Sequence, residues 1–469
     1  MRLGDLLQRV DHTVLAGSVD RDVHHLTQDS RRVQGGSVFV AVPGRRVDGH
    51  DFVAKMQAAA VVVERPVPAS AGVTVIQVPS ARVAMAQLAS ALHGDPSLDL
   101  PLVAFTGTNG KTTSCWMLEA IGRAAGLKVG VIGTTGNRID GRELPAAYTT
   151  PEAPEWQGLL GQMRGCGLVA AEVSSIGLAA HRVDATRFRV AVYTNLSQDH
   201  LDWHGDMQAY AQAKARLFRD FQVGHAVLNA EDPACLGLAP LDMPTWTFGV
   251  EVGDVHLESL EQDLRGSRGR VVGPFGSLDL ELSLLGRFNV LNALGAISAA
   301  AALGLPTRAI EEGIASLRAV PGRLEQVHVR PAVLVDYAHT PEALRTVLET
   351  LRPLVEGRLV VVFGCGGDRD RDKRPKMARA ACELADLVIA TSDNPRSEDP
   401  EAILVQVAQG LDEGSRVVVD RRRAIEVALG EAGPDDLVLI AGKGHETTQE
   451  VGGVKHPFDD RAVAREVLG

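Results

Sequence analysis

The chain has 469 residues, 45% of them hydrophobic, which is enough for several cores and, at roughly 100–200 residues per domain, for two to four domains with three the first expectation. A net charge of −11 excludes a general nucleic-acid coat, which needs a basic face, and five scattered cysteines exclude a secreted disulfide scaffold and fit a reducing cytoplasm. The start, MRLGDLLQRV, is not a signal peptide, and no apolar run approaches a bilayer span, so a soluble cytoplasmic protein without membrane insertion is expected.

In chain order, residues 1–98 alternate short β-branched runs (SVFVAVPG, AAVVVERP, GVTVIQVP) with helical stretches such as 81–93. Residues 93–101, HGDPSLDLP, read as a linker. Next comes a buried strand, PLVAFTG, that runs into a helix over 111–125. The all-apolar runs LKVGVIG, GLVAAEV, RVAVYTNL and HAVLNAED then suit a parallel sheet covered on both faces. Residues 251–284 alternate polar with apolar and look antiparallel, a helix follows over 289–303, and AVPGRLEQV (319–327) reads as a second hinge. Beyond it, AVLVDYAH, a helix from Pro341, RLVVVFG, a helix near 375–385, LVIATSD, SRVVVD and DLVLIAG give βαβα order. The fold class is therefore α/β in three domains: an N-terminal α/β domain (1–98), a central domain with a parallel sheet of phosphate-loop ATPase type (99–323) and a C-terminal Rossmann-like doubly wound sheet (324–469).

The strongest local signal is TGTNGKTT, set between a strand and a helix. Gly107, Thr108, Asn109 and Gly110 would wrap a phosphate, with N–H groups at the helix start pointing at it. Lys111 would sit on the β- and γ-phosphates and the Thr112 hydroxyl on a divalent metal, with Thr113 completing the run. The first glycine stands two residues from the GK pair rather than four, and an ordinary Gly-rich turn is the plain alternative. A GTPase-type switch is the functional rival, yet no NKxD-like guanine reader is found. Glu172 ends a buried strand and His200 follows another, so both stand at carboxyl ends of strands, where open α/β sheets bind ligands. With Thr112 they offer donors suited to Mg²⁺, although a loop histidine satisfied by a neighbour is the alternative for His200. Lys214 alone reads as a cation on a solvated helix face, and Asn289 as a helix cap.

EVSSIGLAAHRV, TNLSQDHLDWHG, AKARLF, LGRFNVLNALGA, PGRLE, DYAHTPEAL, GCGGDRDRDKRP, DNPR and GKGHE occur in that order after the phosphate loop, and together they resemble the Mur ligases over nearly the whole length. The resemblance implies ATP as nucleotide, Mg²⁺ held by Thr112, Glu172, His200 and Lys214, and a CO₂-derived carbamate on Lys214. It places Asn289, Asn292, Arg323, Asp336 and His339 around adenine, ribose and phosphate. The run LTQDSRRVQGGSVFVAVPGRRVDGHDF resembles the uridine-nucleotide domain of the third Mur ligase step. Ser30 matches a UDP contact, and Thr149, Thr150, Ser174 and Arg182 match contacts to the muramoyl-dipeptide and its phosphates. Ile176 and Ala180 depart from the commoner histidine and glutamine, and Asp372 from a common glycine.

The resemblance extends to the amino acid added. DNPR is the pattern of the meso-diaminopimelate enzymes: Arg396 can grip the distal carboxylate with a bidentate pair, whereas lysine would leave a buried arginine unpaired. A surface cation after a proline turn is the bland reading of Arg396. Arg369, Asp393, Asn394, Gly442 and Glu446 match the remaining contacts, with Glu446 on the distal ammonium, while the Asp372 charge leaves L-lysine or L-ornithine open. The implied reaction joins the diamino acid to the D-glutamate γ-carboxylate of UDP-MurNAc-L-Ala-D-Glu through an acyl phosphate, in a monomer whose domains close. Glu172, His200 and the Lys214 carbamate then hold metal, while Lys111 and Arg323 offset charge. Rivals are a folylpolyglutamate synthetase, disfavoured by the domain of about 98 residues before the phosphate loop, a murein peptide ligase, disfavoured by DNPR, and a non-catalytic nucleotide-binding relative, disfavoured by the intact Lys111, Thr112, Glu172, His200 and Lys214.

Overall fold

The computed structural model describes residues 1–44, 47–263 and 265–469. Arg45 and Arg46 of the uridine-nucleotide run, and Leu264 of the alternating segment, lie outside the described residues. The chain forms two compact units, the first made of 1–257, 272–278 and 291–313, the second of 258–271, 279–290 and 314–469. Mixed α/β architecture with parallel sheets is what the apolar runs predicted, and no helix among the described residues is long and apolar enough to cross a membrane.

Two large sheets lie in the first unit, beside a short parallel pair, Arg187–Phe188 with Gln222–Val223. In the N-terminal one the strands Ser37–Val40, Ala60–Val63 and Thr74–Gln77 are the expected β-branched runs, buried and in parallel register. Its two edge strands, Thr13–Ala16 and His25–Thr27, were not expected from sequence; the former is exposed throughout and carries no alternation to betray it. Segment 93–101 is less of a linker than its prolines suggest. It holds a 3₁₀ turn, Pro96–Leu98, and Ser97 accepts a hydrogen bond from the Arg187 backbone N–H at 3.0 Å, while the Arg164 guanidinium donates to the carbonyls of His93 and Gly94.

The larger sheet runs Thr245–Phe248, Ala226–Asn229, Val190–Tyr193, Leu102–Thr106, Leu168–Glu172, Val129–Ile132, Asn137–Ile139, Arg142–Leu144. Its first six strands are mutually parallel, and the five residues of Leu102–Thr106 are all buried, as a central strand with both faces covered requires. Glu172 pairs in register with Phe105 and Tyr193 with Thr106, so three neighbouring strands end level with one another. A separate three-stranded sheet, His256–Asp263, Gly266–Gly273 and Gly276–Leu282, realises the alternating segment; the last strand alternates exposed and buried along most of its length.

The second unit is a six-stranded sheet in the order Glu325–His328, Ala332–Asp336, Leu437–Ala441, Leu359–Cys365, Leu387–Ser392, Arg416–Val417, parallel but for the first strand. Two apolar clusters cover its faces, one around Leu334, Leu348, Phe363 and Met377, the other around Val335, Ile389, Ile425 and Val463. Part of the expected hinge becomes the antiparallel edge strand Glu325–His328, and SRVVVD contributes only the two exposed residues Arg416–Val417, since an edge strand has one partner. Beneath the sheet edge, Arg421 and Asp460, both fully buried, pair twice at 2.7 Å, and Arg421 also donates to the carbonyls of Ser392 and Ala441. Removing one partner leaves an uncompensated buried charge, so Asp460→Ala should lose about 3–5 kcal/mol of stability. Urea unfolding followed by circular dichroism checks this, and a midpoint equal to wild type would refute it.

Candidate active site

The phosphate loop emerges from strand Leu102–Thr106 and feeds the helix Lys111–Ala124. Two of its glycines are obligatory by geometry. Gly107 has φ 148° and a Cβ there would lie 1.9 Å from Thr194 Oγ1; Gly110 has φ 88° and a Cβ would lie 2.1 Å from Asn292 Oδ1. The loop after strand Val190–Tyr193 braces it: the Thr108 N–H donates to Asn195 O at 2.9 Å, the Asn109 N–H to Asn195 Oδ1 at 2.9 Å, and Thr194 Oγ1 to Asn109 O at 2.6 Å. Lys111 folds back on its own loop, donating to Gly107 O at 2.9 Å and Thr108 O at 2.8 Å. A glycine-rich turn braced in this way, opening a helix N-terminus beside a lysine, can hold a phosphate chain.

At the next strand end, the Glu172 carboxylate accepts from Thr112 Oγ1, 3.0 Å from each oxygen, and from the N–H and hydroxyl of Thr134 at 2.8 and 3.0 Å. Thr112 and Glu172 thus place hard oxygen donors side by side beneath the loop, a donor set that fits Mg²⁺. His200 has φ 54°, lies 3.5 Å from Asp199 and sets its ring edge-on to Tyr210. Burial, with the nearby Lys111 and Lys214 charges, holds its pKa below the usual histidine value against the pull of Asp199. Among the described residues no three His, Cys, Asp or Glu side chains converge, so a metal here would need the hydroxyl of Thr112 or a modified lysine as well.

Lys214 corrects the plain reading of its helix face. The helix Met207–Arg219 turns it inward; the side chain is buried, and Nζ donates to Gly107 O at 2.6 Å. Desolvation, and secondarily the Lys111 charge, pushes its pKa well below the ordinary lysine value. Tyr210, one turn earlier, lies under the Lys214 ammonium at 4.6 Å and reaches Thr108 Oγ1 at 3.1 Å. Sequence reading missed both Tyr210 and Thr134, which carry no motif and act through contacts made only in the fold.

Thr149, Thr150, Ser174 and Arg182 gather beside Glu172. Thr149 Oγ1 lies 2.9 Å from Thr134 Oγ1, Thr150 Oγ1 donates to Glu172 O at 2.9 Å, and the Ser174 N–H donates to Thr150 Oγ1 at 3.0 Å. Arg182 donates to Thr150 O at 3.0 Å and pairs with Glu152 at 2.6 Å, a partner that sequence reading had not singled out. Ile176 lies in the short helix Ser175–Ala179, and the Ala180 carbonyl, just beyond it, accepts from Arg82 at 3.4 Å. Ser30 is set apart from this group, opening the 3₁₀ turn Ser30–Arg32, which the Asp29 carboxylate caps. Asn292, buried, faces Gly110.

In the second unit the same edge logic gathers the remaining residues, because Asp336 pairs with Ala441 and Cys365 with Ser392 at the parallel strand ends. Asp336 accepts from the N–H groups of Leu324 and Ala338 at 2.8 and 2.7 Å; burial raises its pKa against the opposing pull of Arg323. The Arg323 guanidinium lies 5.0 Å from the Tyr337 ring, whose other neighbours are His339 and His445. Asn289, in the first turn of the helix Arg287–Ala302, donates through Nδ2 to Leu285 O at 2.8 Å.

The DNPR loop lies beside the loop after strand Leu437–Ala441. Asn394 Nδ2 donates to Glu446 Oε2 at 2.7 Å, and Gly442, at φ 119°, leaves only 2.7 Å between a notional Cβ and Asp393 Oδ2. Arg396, at φ 54°, donates to Gly367 O at 2.7 Å and lies 3.9 Å from Glu450. Arg369 is exposed on the neighbouring loop, and Asp372 caps the helix Lys373–Leu384 without a side-chain hydrogen bond.

Three family models match the chain: "Mur ligase family, catalytic domain" over residues 22–93, "Mur ligase middle domain" over 105–300, and "Mur ligase, glutamate ligase domain" over 322–444. A UDP-N-acetylmuramoyl-L-alanyl-D-glutamate–2,6-diaminopimelate ligase of Gloeobacter violaceus is 47% identical, covering 100% of this chain and 98% of its own. One of Geobacillus thermodenitrificans is 44% identical, covering 100% and 99%. A solved structure of a UDP-N-acetylmuramoyl-L-alanyl-D-glutamate–2,6-diaminopimelate ligase is 36% identical over 97% of this chain and 96% of that one, with a TM-score of 0.70. The chain belongs to the Mur ligase family of ATP-dependent ligases.

Proposed function

We propose that this protein uses ATP to join meso-diaminopimelate to the D-glutamate γ-carboxylate of UDP-MurNAc-L-Ala-D-Glu, a step of peptidoglycan precursor synthesis in the cytoplasm, acting as a monomer. The observation that carries the choice of diamino acid is Arg396, held over the Gly366–Gly367 backbone in the same loop pair as Asn394 and Glu446. A guanidinium there meets a distal carboxylate, and Glu446 meets the distal ammonium. Asp393, Arg369 and Gly442 complete the subsite in this reading. L-lysine and L-ornithine are the alternatives that the Asp372 charge leaves open.

In the proposed reaction a γ-carboxylate oxygen of D-glutamate attacks the γ-phosphorus of ATP, the bond to the β-phosphate oxygen breaks and ADP leaves. The free amine then attacks the acyl carbon, loses a proton, and expels inorganic phosphate as the carbon–oxygen bond breaks. Gly107 through Thr113 cradle the phosphates; Lys111 and Arg323 offset charge that develops on them; Asn289, Asn292, Asp336 and His339 hold the nucleoside and its phosphates. Ser30 takes the uridine nucleotide, and Thr149, Thr150, Ser174 and Arg182 the muramoyl-dipeptide. Mg²⁺, when bound by Thr112, Glu172, His200 and the Lys214 carbamate, supplies further neutralisation of phosphate charge. The buried, poorly solvated Lys214 amine supports the carbamate: it is disposed to be neutral, and a neutral amine adds to CO₂ and releases a proton. The three-domain division at 98 and 323 assigns these tasks to an N-terminal uridine-nucleotide domain, a central ATP domain and a C-terminal amino-acid domain.

Phosphate release with UDP-MurNAc-L-Ala-D-Glu should be fastest with diaminopimelate, and Arg396→Ala should cost about 10–100-fold in kcat/KM for that amino acid while sparing lysine. A wild-type preference for lysine or ornithine would remove Arg396 as the specificity residue. Lys111→Ala should drop turnover to about 1% or less, so unchanged phosphate release would sink the catalytic assignment. Incubation with ¹³C-bicarbonate should give a carbamate carbon signal in the wild type and none in Lys214→Ala; its absence from both would end the carbamate proposal.

A further inference from the structure

Lys443, inside the GKGHE run, is fully buried, an expensive location for an ammonium group unless every proton is taken. All three are. Nζ donates to Thr448 O at 2.7 Å, to Glu446 Oε2 at 2.9 Å and to Asn394 Oδ1 at 3.1 Å, and an ammonium has three donors to give. The acceptors come from different segments: the DNPR loop, the loop after strand Leu437–Ala441, and the strand Thr448–Val451.

The consequence falls on two neighbouring side chains. Asn394 Oδ1 receives a second donor, the Glu450 N–H at 2.9 Å, so two donors converge on one end of the amide and turn its Nδ2 toward Glu446 Oε2, 2.7 Å away. Glu446 Oε2 therefore takes both Lys443 and Asn394, whereas no described residue donates to Oε1 of this partly exposed carboxylate. The carboxylate is fixed by one oxygen and presents the other.

The geometry points to Lys443 as the positioning residue of the amino-acid subsite: a buried cation that locks the Asn394 amide and the Glu446 carboxylate in the orientation that receives a substrate ammonium. This rests on the diamino-acid reading above. Lys443 need not touch substrate, and it acts on a group that diaminopimelate and lysine share, so its loss weakens both, whereas loss of Arg396 weakens only the former.

The test is steady-state phosphate release by the full-length enzyme carrying Lys443→Met, with each substrate varied in turn. KM for the diamino acid should rise about 30-fold, the scale of a lost charged hydrogen bond, with KM for ATP and for the UDP-dipeptide within about 2-fold of wild type. Lys443→Gln, which keeps a neutral donor, should show the same split at about 5-fold. Unchanged KM for the diamino acid in a folded variant overturns the proposal, as does an equal rise for all three substrates. If both variants fail to fold, Lys443 is a structural ion and the proposal also falls. Failure of the underlying reading looks different, because wild-type enzyme would then turn over none of diaminopimelate, lysine and ornithine.

Discussion

Parallel strands hydrogen-bonded in register must deliver their carboxyl ends to the same edge, and the two candidate loop clusters depend on that constraint. In the first unit the level ends of Leu102–Thr106, Leu168–Glu172 and Val190–Tyr193 put the phosphate loop, the Glu172 carboxylate and the bracing residues Thr194 and Asn195 within hydrogen-bond reach of one another. In the second unit the ends of Ala332–Asp336, Leu437–Ala441, Leu359–Cys365 and Leu387–Ser392 bring Asp336, Gly442, Gly366 and Asp393 out at one edge, where the Gly442 N–H donates to Asp336 O at 3.0 Å. The apolar runs that fill these strands therefore do more than form cores: burial on both faces fixes the register, and the register fixes where the loops begin.

Loops at such an edge carry polar groups into poorly solvated places, and each must be satisfied there. The protein meets this with ions whose hydrogen bonds are completed by the loops themselves. Arg421 ties Asp460 to the carbonyls that precede Asp393 and Gly442; Lys443 ties Thr448 to Asn394 and Glu446. Lys111 and Lys214 both donate to Gly107 O, so two lysine side-chain nitrogens stand against the backbone of the phosphate loop. Burial, and secondarily the charge of Lys111, pushes the Lys214 pKa well below the ordinary lysine value.

The central strands were legible because each is an uninterrupted apolar run, as in LVAFT and LVVVF, and the phosphate loop because its residues are consecutive. What escaped was set by tertiary contact. The edge strand Thr13–Ala16 is exposed, so burial imposes no pattern on it. Thr134, Glu152, Tyr210 and Lys443 look like ordinary polar residues, and each gains meaning only from a partner 30 to 102 positions away: Thr134 from Glu172, Glu152 from Arg182, Tyr210 from Thr108 and Lys443 from Asn394. Lys214 went further and inverted its plain reading, because an amphipathic pattern places a residue on a helix face but does not say that a loop from another strand will cover it.

Arg396 shows how backbone and side chain can disagree at such a site. At φ 54° an arginine costs roughly 1–2 kcal/mol relative to a right-handed conformation, a penalty that glycine would avoid and asparagine would lessen. The conformation is enforced from outside: the Arg396 N–H donates to Glu450 O at 3.0 Å, and its carbonyl accepts from the Gly452 N–H at 2.7 Å, pinning the loop to the hairpin Thr448–Val451 and Val454–Pro457. With the backbone so determined, selection for local ease alone would place a small residue there. A long cation instead occupies the position and lies across Gly366, where a Cβ would come within 2.9 Å of its guanidinium. The guanidinium thus lies against the backbone of the neighbouring loop, where it donates to Gly367 O at 2.7 Å. Such an arrangement is expected where the chemistry of one side chain, rather than the comfort of its backbone, decides which residue is kept.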